Sequence, residues 1–317
     1  MTDILGLVFR TFASQTDVKQ QLAAGLPPPA AGSSALLVGR SGTSRSGTSR
    51  SGTSPSEISR SVLLLAAVTA ASEAGVRVVF FSRTQIQSLP VCLQQSFLSA
   101  DRLKKIKFSY PRTLEELLQQ VASLHESSNT SPSPPSLIIV DRLDGYLCGA
   151  AGGGHGGFQP GEQSCAAHLS ALLCDSAAFL TRLLRQRCSS SPACRVIVSF
   201  HSEKDMLQAG AETSSTDPIL DVLDRYFPVR CTLDRDRSYE ATAAGLQEVW
   251  HVYFSGTGIT DPDPDPDPDP DPDPDPDPDP DPNPSFNPDP DPDPDPAAAR
   301  EWQLLISTDG SMEFKMV

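Results

Sequence analysis

The chain has 317 residues, 38% of them hydrophobic, and a formal net charge of −15. That length is enough for one sizeable core or two small ones, and it excludes a minimal disulfide- or metal-stapled scaffold. Fifteen Asp between Asp261 and Pro296 account for the whole imbalance. Without them the remainder is neutral, so the acidic balance does not exclude nucleic acid as a partner of the folded part.

The N-terminal stretch MTDILGLVFRTFASQTDVKQQL reads as a short amphipathic helix within residues 1–24, ended by GLPPPAAGSS. It has no basic start followed by a long apolar run, so no secretory signal is expected. Residues 35–38 form a short apolar strand. A Gly/Ser/Thr loop follows, in which Arg-Ser-Gly-Thr-Ser occurs three times, and the apolar run from Ser61 to Ala74 predicts a helix stopped by Gly75. VRVVFF (76–81) is a buried strand and KIKFSYP (105–111) a shorter one. TLEELLQQVASLHE carries a capping box, Thr113 with Glu116, and an apolar face of Leu114, Leu117, Leu118, Val121 and Leu124. LIIVD (137–141) is a buried strand ending in a carboxylate. After the glycine-rich insert at 149–161, a long helix is expected from Ser164 to Arg187. VIVSF (196–200) is another buried strand, and Asp217-Pro218 caps a helix over ILDVLDRYF. VRCTL, VWHVYF, WQLLIS and SMEFKM then read as strands, the last two joined by an Asp-Gly hairpin turn at Asp309-Gly310.

Apolar strands alternating with helices predict an α/β fold, a mostly parallel sheet with helices on both faces and a C-terminal antiparallel hairpin. Four segments are expected. Residues 1–34 are an N-terminal helix and linker. Residues 35–254 form the core, with a repeat insert at 40–60. Residues 255–300 are a disordered Asp-Pro tract, in which alternating proline bars both helix and ladder. Residues 301–317 are the closing hairpin. Seven scattered cysteines, odd in number and with no CxxC pair, point to reduced thiols in the cytosol or nucleus. The longest strongly apolar run, Val62–Ala71, is too short for a bilayer, so no membrane is expected as a partner.

Strand, Gly/Ser/Thr loop and helix in that order are the layout of a phosphate-binding loop, GxxxxGK[ST]. In that motif backbone N–H groups curl round a phosphate, lysine reaches its outer oxygens and the hydroxyl ligates magnesium. Set on Gly39, the pattern places Arg45 at the lysine and Ser46 at the metal-binding hydroxyl, with Ser44 in place of the second glycine. Set on Gly42 or Gly47, both glycines return and threonine stands at the lysine. No register supplies lysine. Arginine keeps the charge but does not fit the small lysine slot. Asp141, at the end of LIIVD, has the position of a Walker B carboxylate that would hold magnesium beside the phosphates and serve the catalysis. The strand VRVVFF ends in Ser82, Arg83 and Thr84, with no acid to orient a water. His201, just after VIVSF, has the position of a polar group that would touch a terminal phosphate. Arg102, Lys104, Lys105 and Lys107, with Phe108 and Tyr110, form the densest basic-aromatic cluster and are the candidates for contact with single-stranded DNA.

The segments RVVFFSRTQIQSLP, DRLKKIKFSYPRTLEELLQQVASLHE, SLIIVDRLDGYL, LDRYFPVRCTL and EWQLLISTDGSMEF closely resemble the SWIM-zinc-finger-associated RecA-like ATPases of the animal Shu complex, a family similar to recombinase paralogs. The likeness runs from about residue 35 to 314. It implies a RecA-like P-loop NTPase core and ATP with magnesium as cofactors. It also implies a nuclear accessory subunit in homologous recombination repair of DNA double-strand breaks. Such a subunit binds single-stranded DNA and a SWIM-type zinc-finger protein, and supports filaments of a RecA-family recombinase. The family carries Gly-Lys-Thr or Gly-Lys-Ser in its loop, which this chain lacks. The residues therefore imply a degenerate site with nucleotide as a weak or structural ligand. The alternative is an active ATPase stimulated by single-stranded DNA.

Overall fold

A computed structural model of the chain describes residues 4–13, 34–40, 53–94, 99–126, 134–147, 160–202, 217–236, 248–256 and 301–317. Nine strands form one sheet: β1 (Ala35–Arg40), β2 (Val78–Ser82), β3 (Ile106–Ser109), β4 (Leu137–Asp141), β5 (Arg195–Ser202), β6 (Val229–Arg235), β7 (Glu248–Ser255), β8 (Glu301–Ile306) and β9 (Met312–Met316). Their order is β3-β2-β4-β5-β1-β6-β7-β8-β9. The first six run parallel. β7, β8 and β9 extend the β1–β6 side in antiparallel ladders. The α/β architecture is the expected one, a mostly parallel sheet with helices on both faces, closed by a hairpin. Its antiparallel part is larger than the hairpin alone, because β7 turns back along β6 before the hairpin begins.

The strand of the loop motif, β1, lies at the centre, with one strand, β5, between it and β4. Both β1 and β4 are buried along almost their whole length, as their unbroken apolar runs require. Helix α1 (Ile4–Thr11) and helix α2 (Pro55–Ser72) cover one sheet face. The run Val62–Ala71 is buried on every side, which marks α2 as a central core helix. α1 supplies its outer cover through Leu5, Val8 and Phe9, and Phe9 stacks on Phe314 of β9 at 4.6 Å. The N-terminal helix is thus packed into the core of the sheet face. Residues 14–33 lie outside the described residues.

Helices α3 (Val91–Gln94) and α4 (Ala100–Leu103) are single turns before β3. The other sheet face is covered by α5 (Leu114–Ala122), α6 (Asp144–Leu147), α7 (Pro160–Arg187) and α8 (Pro218–Leu223). Helix α7 begins at Pro160, four residues before the expected start, inside the segment read as a glycine-rich insert. By length and composition it could cross a bilayer, but Leu169, Leu173, Leu180 and Leu184 are buried against the sheet.

The largest departure from expectation concerns α2. It starts at Pro55, not Ser61. Ser54 is its N-cap, accepting from Glu57 N, while the Glu57 carboxylate accepts from Ser54 N at 2.9 Å. Proline at the first helical position completes a start signal embedded in the last repeat. The insert expected over 40–60 therefore gives way to a helix at 55. Gly75 ends this unit at φ +68, and Val76 N returns to Ala70 O at 3.1 Å.

Candidate functional site

Parallel strands present their carboxyl ends on one rim, where open α/β sheets bind ligands. On this rim Gly39, Ser82, Asp141 and His201 come together under the start of α2. A Cβ built on Gly39 would lie 3.1 Å from Ser59 Oγ and 3.4 Å from both His201 Nδ1 and Pro55 Cβ. Glycine here lets helix and strand approach closely. β1 and β5 are in register at Gly39 and His201, so the fold brings these two site candidates side by side. His201 Nδ1 is buried and has no hydrogen-bond partner among the described residues. A buried ring nitrogen with no partner among the described residues is a polar contact left for another group to satisfy. Gly42, Arg45 and Ser46 lie outside the described residues.

Asp141 is fully buried. Its Oδ2 accepts from Arg60 Nε at 2.7 Å and from Ser82 Oγ at 2.9 Å, and Ser199 Oγ lies 3.4 Å from Oδ1. The cation that the fold brings to Asp141 is thus Arg60, in the second turn of α2. Arg60-Ser61 followed by an apolar run keeps the motif's order of cation, hydroxyl and helix, shifted fifteen residues from Arg45-Ser46. Arg60 Nη2 also donates to Thr84 Oγ1 at 3.0 Å. Arg60, Ser61 and Thr84 line a cleft of about 610 Å³ that continues past Gln87 and Pro90 to Gly310 of the closing hairpin. That volume is in the range of small-ligand sites.

The chain direction after Asp141 is set by Arg142, a non-glycine residue at φ +56. Its N–H donates to Ser199 Oγ at 2.8 Å, and its guanidinium reaches Asp144 at 3.2 Å. The left-handed turn costs about 1 kcal/mol and swings Asp144 back under β5, where Oδ1 accepts from His201 N at 3.1 Å. Burial pushes the Asp144 carboxyl above its ordinary value, against the opposing pull of Arg142. The return of the chain to α2 is held by Glu248 of β7, also buried. Its Oε1 accepts from Thr53 N at 2.6 Å and from Arg235 at 3.2 Å, and its Oε2 from Trp250 Nε1 at 3.0 Å.

These residues fit the phosphates of ATP better than they fit magnesium. Arg60 offers guanidinium donors to an anion in the cleft, and His201 Nδ1 is a polar atom without a partner among the described residues. The one carboxylate expected to serve a metal, Asp141, is closed off by burial and already neutralised by a guanidinium.

The basic cluster is elsewhere. Arg102, Lys104 and Lys105 precede β3, and so sit on the amino rim, opposite Asp141. Lys104 pairs with Asp101 at 2.9 Å, both largely exposed, and Lys105 Nζ donates to Gly75 O at 3.1 Å. Lys107 is exposed on β3, the sheet edge, and Phe108 packs on Phe80 at 5.5 Å while remaining 37% exposed. The fold therefore separates these four residues from the nucleotide candidates. Sequence reasoning missed Arg60, Glu248 and Asp144. The capping box at Ser54 was the one local signal that would have placed Arg60 on a helix.

No family model matches the chain. It is 36% identical over 177 residues to the mouse (Mus musculus) protein named ATPase SWSAP1, a match covering 56% of this chain and 54% of that one. It is 33% identical over 210 residues to the human (Homo sapiens) protein of the same name, covering 66% of this chain and 74% of that one. The match thus spans about half the length of the mouse relative. Among solved structures, the KaiC-like protein PH0186 of Pyrococcus horikoshii aligns with a TM-score of 0.43 and 12% identity over 77% of this chain and 86% of that one, too distant to bear on the site. From the extent of the human match, the chain belongs to the SWSAP1 family.

Proposed function

We propose that this protein is an accessory subunit in homologous recombination repair of DNA double-strand breaks, of the Shu-complex type. In this reading it acts in the nucleus with a SWIM-type zinc-finger partner. It binds single-stranded DNA, supports filaments of a RecA-family recombinase, and holds ATP at the carboxyl rim of its sheet as a bound ligand. The observation that carries the nucleotide part is the convergence of Gly39, Arg60, Asp141 and His201 on one rim of a RecA-like sheet. Membership of the SWSAP1 family supports the rest.

The base and ribose would occupy the cleft between Thr84–Pro90 and the closing hairpin. The DNA surface would lie on the basic amino rim, or on the loops after β4 and β5, which lie outside the described residues.

A second reading is an active ATPase stimulated by single-stranded DNA, and the name of the relatives favours it. The end of β2 weighs against it: Ser82, Arg83 and Thr84 offer no carboxylate to activate water. Two assays test the proposal. One is fluorescence-anisotropy titration of labelled single-stranded DNA, with co-purification of a SWIM-type zinc-finger protein. The other is ATP turnover with and without DNA. DNA and partner binding with negligible turnover is expected. Binding of neither would overturn the proposal, and DNA-stimulated turnover lost in Asp141→Ala would establish the second reading.

A further inference from the structure

We infer that the nucleotide site works without a divalent cation: Asp141 serves as the anchor of an arginine that binds the phosphates, not as a ligand of magnesium. The inference rests on the nucleotide-binding reading above and names how that site grips its ligand.

A magnesium ion shared between protein and triphosphate keeps several waters. It needs a carboxylate open to that hydrated shell. Asp141 has no exposed surface. Its Oδ2 holds two donors, Arg60 Nε and Ser82 Oγ, within 2.9 Å. A cation at that oxygen must first displace a guanidinium, and it would then face the guanidinium's charge at close range. Arg60 meanwhile is fixed at two points, on Asp141 and on Thr84 Oγ1. Its Nη1 carries no hydrogen bond among the described residues, and the side chain keeps 27% of its surface exposed, facing the cleft. A guanidinium pinned by its Nε edge and presenting free donors to a cleft is preorganised for an anion. Preorganisation of this kind raises affinity by lowering the ordering cost of binding. On the same rim, His201 Nδ1 is buried and has no hydrogen-bond partner among the described residues. Arg60 thus supplies guanidinium donors, with one positive charge shared with Asp141, in place of the groups that an intact loop brings to the phosphates.

The test is isothermal titration of the full chain with a non-hydrolysable ATP analogue, once in EDTA and once in excess magnesium. The inference predicts binding in EDTA within about threefold of that in magnesium. Arg60→Ala should weaken binding in EDTA at least tenfold. Arg60→Lys, which keeps the charge but loses the two-point tether, should recover only part of it. Asp141→Asn keeps the shape and some hydrogen bonding, and should weaken binding equally in both conditions, with thermal unfolding monitored as the control for folding. Binding that appears only with magnesium, or tightens more than tenfold with it, overturns the inference and leaves the nucleotide reading intact. The same holds if Asp141→Asn abolishes only a magnesium-dependent increment. Absence of binding in both conditions overturns the nucleotide reading and this inference with it.

Discussion

The two rims of the sheet carry polar residues of opposite kinds. On the carboxyl rim the two acids Asp141 and Glu248 are buried and held by long-range partners, Arg60 at 81 residues and Thr53 at 195 residues away. Near them, the buried His201 Nδ1 has no hydrogen-bond partner among the described residues. On the amino rim the polar residues are exposed, numerous and satisfied locally, as in the i,i+3 pair of Lys104 and Asp101. β7 ends and β8 begins on that same amino rim, since Ser255 pairs with Arg230 at the start of β6 and Tyr253 with Glu301. Burial with an unfilled contact marks a site for a small ligand. Exposure with high charge marks a surface whose contributions are individually small and sensitive to salt.

The contrast is most open to disproof at Asp141. Asp141→Ala would leave the Arg60 guanidinium half-buried and unpaired, and should cost about 3 kcal/mol of stability, read by urea unfolding. A loss below about 0.5 kcal/mol would place the pair among surface ion pairs and erase the difference between the rims. Gly39→Ala comes next. Its Cβ would stand 3.1 Å from Ser59 Oγ, on a buried turn of α2, so a loss of about 1–2 kcal/mol is expected, with weaker nucleotide binding in the same variant.

Asp144 tests the electrostatics of the carboxyl rim. Its folded pKa lies above its ordinary 3.8, so the folded state binds the extra proton. Its contribution to stability therefore grows as pH falls from above the folded pKa toward 3.8, and is weakest above that window. In Asp144→Asn that local gain on acidification should disappear, giving a flatter stability–pH curve in the mildly acidic range. Lys104→Ala should do least: a stability change under 0.5 kcal/mol, and weaker DNA binding that grows weaker still with added salt, if the amino rim is the DNA surface.

The fold was legible in the sequence wherever burial imposes a pattern. LIIV (137–140) and VVFF (78–81) are continuous apolar runs, and the first could only be a central strand with the carboxylate of Asp141 at the rim. Gly75 and Asp217-Pro218 marked their helix ends correctly, because φ > 0 and a free first N–H leave few residue choices. The start of α2 was hidden because Ser54-Pro55-Ser56-Glu57 continues a repeat of serine, threonine and glycine, and composition masked the capping box. Arg60 was not legible as a site residue, since what singles it out is a contact across 81 residues of chain. The basic cluster around Lys104 was legible as charge density, but not the rim to which it belongs. That depends on which end of β3 it precedes and on how β3 pairs with β2.

The central claim, that the carboxyl rim grips a nucleotide through Arg60 and His201, is tested most directly by a crystal structure of the chain with bound ATP. The account predicts phosphate oxygens within hydrogen-bonding distance of the Arg60 guanidinium and His201 Nδ1, with Asp141 still paired to Arg60. Phosphates bound at the amino rim, or Arg60 swung away with a metal ion against Asp141, would contradict it.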